Sequence, residues 1–124
     1  MACGPSERAE KEKVSAGVER IRALPSSQPV EQKKAAEDLL ALDIETPRAR
    51  HARDACGAAY KTKAEYGVLV DEMTGRVAAL DGELATEPEK VELTEKMKRV
   101  DALLKQLEVE LPQCSQAMSN LIGH

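Results

Sequence analysis

The chain has 124 residues, enough to bury about two thirds of its unfolded surface without a disulfide or metal staple, and its only aromatic residues are two Tyr. A core limited to Leu, Val, Ala and Met, in a sequence that is 32% charged, suits helices and excludes sandwiches and barrels, whose strands favour aromatic and β-branched residues. The balance of 18 basic against 22 acidic residues, net −4, removes a general drive toward nucleic acid, and base stacking is excluded with the aromatics.

Pro and Gly divide the chain into helical pieces. Residues 1–5 read as a disordered N-terminus and 6–124 as a single helical-bundle domain. Pro5-Ser6 opens the first helix, whose Val14, Val18, Ile21 and Leu24 recur at the spacing of one buried stripe. Pro25-Ser26-Ser27-Gln28-Pro29 breaks it. A second helix is predicted from Ser27, with Ser as N-cap and Pro29 in the first turn. It carries Ala35, Ala36, Leu39, Leu40 and Leu42 and ends around Asp43-Ile44. Thr46-Pro47 restarts the helix, with the Thr46 hydroxyl expected to take a free amide of the next turn.

From there Ala52, Cys56, Ala59, Lys63, Tyr66, Val70, Met73, Val77, Leu80 and Leu84 alternate spacings of four and three, a heptad seam with Lys63 its one charged member. Gly82 marks its end, and Thr86-Glu87-Pro88-Glu89 reads as a capping box. Leu93, Met97, Val100, Leu104, Leu107, Leu111, Cys114, Met118 and Leu121 repeat the seam, with Pro112 expected to kink or fray it. The short joint makes these two helices, each roughly 50 Å long, antiparallel. The expected fold is all-α, an elongated antiparallel bundle of three to four helices. Its first two helices form one rod, broken near Pro25–Pro29, beside a heptad hairpin of residues 67–122.

The chemical inventory is short. No catalytic constellation, cofactor site or metal cluster is expected, because His51 and His124 have no partner at a readable spacing and no Gly-rich phosphate loop is present. No apolar run approaches the ~20 residues that cross a bilayer, and Met1-Ala2-Cys3-Gly4-Pro5 has no signal-peptide stretch, so a cytoplasmic protein without a membrane partner is expected. Cys3, Cys56 and Cys114 are odd in number and lack a C-x-x-C pair, the usage of a reducing compartment. Cys56, Cys114, Met73, Met97 and Met118 all read as seam packing.

Charge is more pointed. Glu31, Glu37, Asp38 and Asp43 outnumber Lys33 and Lys34 in the second helix, whereas Arg48, Arg50, Arg53, Lys61 and Lys63 outnumber Asp54 and Glu65 after it. Opposite-sign stripes on adjacent helices suit an orientation-specific protein interface, or a simple exchange of surface salt bridges. The candidate partner-binding residues are Glu31, Glu37, Asp43, Arg50, Arg53 and Lys61. With few bulky apolar anchors to spare, binding is expected to be chiefly polar.

Three stretches carry a family resemblance: Lys13-Val14-Ser15-Ala16-Gly17-Val18-Glu19-Arg20-Ile21-Arg22-Ala23-Leu24, then Ala36-Glu37-Asp38-Leu39-Leu40-Ala41-Leu42-Asp43, then Ala49-Arg50-His51-Ala52-Arg53. Together they resemble the three helices of a BAG domain, the Hsp70-binding module of the BAG co-chaperones, over roughly residues 11–66. The resemblance implies an antiparallel three-helix bundle that binds an Hsp70 nucleotide-binding domain and promotes nucleotide exchange. In it, Asp43 matches the second-helix carboxylate and Arg53 the central Arg of the third helix. The sequence departs from the family at Lys33, where a Glu is usual, at Lys61, where a Gln is usual, and in a shorter Ile44–Arg48 connection. The heptad hairpin lies beyond the resemblance. It either adds a fourth helix that folds back or serves coiled-coil self-association. The alternative function is a helical scaffold, or an assembly protein resembling a tubulin-folding cofactor, acting through coiled-coil-like contacts.

Overall fold

Local capping chemistry sets the ends of four α-helices in the computed structural model, which describes residues 6–80 and 86–123: α1 (Glu7–Ala23), α2 (Pro29–Leu40), α3 (Pro47–Ala79) and α4 (Glu87–Ile122). The described residues contain no strand, and the all-α bundle is as expected. Ser6 caps α1 by accepting the Ala9 amide at 3.4 Å. At Thr86 both arms of the expected capping box are present, Glu89 N–H donating to the hydroxyl at 3.3 Å and Thr86 N–H to the Glu89 carboxylate at 3.4 Å. Two caps differ from expectation. The cap of α2 is Gln28, not Ser27, and it makes no side-chain bond, because Pro29 presets the first helical turn without needing one. Thr46 caps α3 by position, but its hydroxyl donates to Glu10 and takes no amide of α3.

The buried stripe of α1 is the predicted one, Val14, Val18 and Ile21. The expected broken rod is not formed. Instead α2 folds back along α1, and the reversal is pinned by the buried Gln32, whose amide donates at 3.2 Å to both the Leu24 and Pro25 carbonyls. Small residues let α2 fit between its neighbours. A Cβ on Gly17 of α1 would stand 2.9 Å from Leu39 Cδ1, and one on Gly67 of α3 would stand 2.9 Å from Pro29 Cβ. Gly57 of α3 receives Leu40. Across this sandwich Val14, Val18, Leu39, Ala52, Cys56, Ala59 and Leu121 are each at most 1% exposed. Burial of a side chain such as Leu39 is worth about 1.5–3 kcal/mol.

α3 and α4 run antiparallel, but α1 and α2 cover only part of their length. Buried residues in α3 stop at Ala64 and in α4 begin at Leu103. The molecule thus has a four-helix base and a two-helix arm made of the outer parts of α3 and α4. In the arm the predicted seams do not stay closed: Val77 and Met97 are both 58% exposed; in the base, the seam residue Lys63 is exposed as well. Further along α4, Leu104 and Leu111 are also open and Leu103 takes the buried position. In the arm no third helix covers the seams. Along α4 a helix of 3.6 residues per turn drifts by about 20° per heptad against a strict seven-residue repeat, which brings Leu103 inward in place of Leu104. α4 continues through Pro112 without a break; Pro has no N–H to give the carbonyl four residues before it, and both Pro112 and Glu108 are exposed. Gly82, Leu84 and the joint, like residues 1–5, lie outside the described residues.

The cysteine reading is overturned. Cys56 and Cys114 are disulfide-bonded in the base, with Cα atoms 4.4 Å apart. The inference of a reducing compartment from unpaired cysteines therefore loses its premise. The signal was present: the midpoint of the two positions is residue 85, the joint of the hairpin, so two antiparallel seams bring them level.

Candidate partner interface

The residues between α2 and α3 would be an open loop but for three side chains that hold them. From α1, Glu10 accepts the Glu45 amide at 2.8 Å, the Thr46 amide at 2.7 Å and the Thr46 hydroxyl at 2.6 Å. It is 2% exposed, and the Thr46 hydroxyl bond, followed by the two amides, holds its pKa below the ordinary value against the opposing effect of burial. Its charge also sits at the positive N-terminus of α3. From α3, Arg53 Nη1 donates to the Leu42 carbonyl at 2.8 Å, and Arg50 Nη2 to the Glu45 carbonyl at 2.9 Å.

The six sequence-predicted residues fall into three places. Asp43, Arg50 and Arg53 meet at the corner where α2 gives way to α3. Asp43 is exposed there, and Arg53, its side chain 17% exposed, also pairs with Asp54 at 2.8 Å. Glu37 is exposed on α2. Glu31 is exposed in the first turn of α2, about 14 Å along the helix axis from its end at Leu40, and Lys61 is half-buried on α3. Lys33, where the BAG resemblance departs, lines a cleft with Glu65, Leu69 and Arg99 between α2 and the hairpin. The expected acidic and basic faces are therefore brought to one corner only in part. There the arginines bind the chain's own carbonyls, a use that a charge count does not reveal.

A second surface lies on the arm. Its two helices are tied along one edge by Glu72–Lys96 at 3.3 Å and Arg76–Glu92 at 2.6 Å, with Arg76 holding the Glu92 pKa down. The other edge opens as a groove of about 580 Å³ lined by Val70, Met73, Val77, Met97 and Val100, with Asp101 at its margin. Met73 and Met97, read as core filler in the sequence, are thus wall residues of an open apolar surface. The signal that could have found it is length: α1 and α2, once folded on each other, cannot reach the end of a 33-residue α3.

Among the described residues no cluster of His, Cys, Asp and Glu could hold a metal ion, and no helix is long and apolar enough to cross a membrane. Comparison of the chain with protein-family models, with curated proteins and with solved structures found no match.

Proposed function

We propose that this chain is a non-enzymatic co-chaperone that binds the nucleotide-binding domain of an Hsp70-type protein and promotes nucleotide exchange. The observation that supports it is the α2–α3 corner, where an exposed Asp43 stands beside an Arg53 fixed by the Leu42 carbonyl, the carboxylate and Arg that the BAG resemblance pairs. A guanidinium already held in place loses little rotamer freedom on docking, which favours a polar contact. Lys33 is turned to a cleft with Glu65, so the acidic side of the contact falls to Glu31, Glu37 and Asp43. A cytoplasmic setting belongs to this reading. In that setting the Cys56–Cys114 bond, with both residues at most 1% exposed in the base, is shielded from the glutathione pool by its burial.

Titration into an Hsp70 loaded with a fluorescent ADP analogue tests the proposal. Faster release and a stable complex are expected, and Asp43→Lys should weaken the complex at least tenfold while the fold, judged by its helical signal, is unchanged. An unaltered release rate with no complex ends it.

The apolar groove favours a second reading, a helical scaffold or assembly protein acting through coiled-coil-like contacts of the arm. Sedimentation separates the two, since self-association that is abolished by Met97→Lys supports the scaffold and a monomer at every concentration removes its homo-oligomeric form.

A further inference from the structure

Lys63, the one charged residue in the predicted seam, has no place in either reading. It lines a pocket of about 260 Å³ where the end of α1 and the turn after it meet α3 and α4, together with Arg22, Ser26 and Tyr60, over a floor that includes Ile21 and Leu111. Arg22 Nε donates to the Tyr60 hydroxyl oxygen at 2.7 Å, which leaves the Tyr60 proton and the terminal nitrogens of Arg22 to face other acceptors. No carboxylate lines the pocket, and among the described residues neither Arg22 nor Lys63 forms a salt bridge. In a protein of net charge −4 this is a local concentration of donors around one concave space. The wall is stiff, because Gln32 ties the turn carrying Ser26 to the start of α2 through its bonds to Leu24 and Pro25.

We infer that this pocket binds a small phosphate dianion, either inorganic phosphate or a phosphomonoester with a short stem. A planar guanidinium and an ammonium beside two hydroxyls match a tetrahedral oxyanion, the guanidinium through paired N–H donors and the ammonium as a point charge. At ~30 Å³ per water molecule, the space holds such an anion with a few waters or a short carbon stem over Ile21 and Leu111.

The test follows the full-length protein by NMR, reading the Arg22 Nε–H and the Tyr60 ring, while inorganic phosphate, glycerol 1-phosphate and acetate are added at constant ionic strength. Saturable shifts with either phosphate, at least tenfold weaker in Lys63→Gln and Arg22→Gln, are expected; acetate should saturate at least tenfold less tightly. Tighter binding of glycerol 1-phosphate identifies a monoester as the ligand class, and equal binding identifies the free ion. Shifts that stay linear with both phosphates, or that are unchanged in Lys63→Gln, overturn the inference. Lys63 is exposed, so that variant keeps its fold even if Arg22→Gln does not.

Discussion

The base and the arm are built from the same two helices, yet they keep their apolar residues in opposite ways. In the base, Cys56, Ala59 and Leu121 of α3 and α4 are at most 0% exposed because α1 and α2 close over them. In the arm, Val77 and Met97 continue the same seams at 58% exposure because no third helix reaches them. A heptad pattern therefore specifies which residues share a stripe, while the number of helices laid against it decides whether that stripe is a core or a surface.

Four measurements break or sharpen this contrast. The largest effect is expected from reducing the disulfide, or from the joint Cys56→Ala and Cys114→Ala variant. Closing a loop of 58 residues' separation stabilises by about 4 kcal/mol, so the urea midpoint should fall sharply while amide exchange in the arm stays nearly as fast as before. Equal slowing of exchange in both regions by the bond would dissolve the distinction. Next, Leu39→Ala should cost about 3 kcal/mol, since Leu39 is 1% exposed and packed against Gly17; a loss under about 1 kcal/mol would mean that α2 does not seal the base.

The Glu10 carboxylate gives a pH signature that belongs to the base alone. Folding lowers its pKa, so its contribution is full above the ordinary value of 4.5 and is lost as pH falls through the folded value. Glu10→Gln should flatten that acid limb of stability and lower the plateau at neutral pH; an unchanged limb would assign acid sensitivity elsewhere, with Glu92 and its Arg76 bond in the arm the next group to replace. The smallest effect is expected at Val77, where replacement by Ser should change stability by less than about 0.5 kcal/mol because the side chain is already open to water.

The helices and most of the α1 stripe were legible because local spacing and caps dictate them: Val14, Val18 and Ile21 are buried as their period requires, and the Thr86 box forms as written. What was not legible depends on contacts distant in sequence. The reversal after Pro25 rests on Gln32, a residue with no pattern of its own, and Thr46 surrenders its hydroxyl to Glu10 from another helix. Of the candidate interface, the exposure of Glu31, Glu37 and Asp43 agrees with their charge. The engagement of Arg50 and Arg53 with backbone carbonyls follows from the path of the α2–α3 connection, which no count of charges contains.

The Cys56–Cys114 bond also decides how the oxidised molecule would answer a mechanical pull. Tension applied through the chain on either side enters along residues 6–56, crosses the sulfur bridge and leaves along 114–123. The intervening hairpin is a closed side loop in that path and carries no force. Stretching can therefore peel α1 and α2 from the base, whereas the groove on the arm keeps its shape until the bridge is cut.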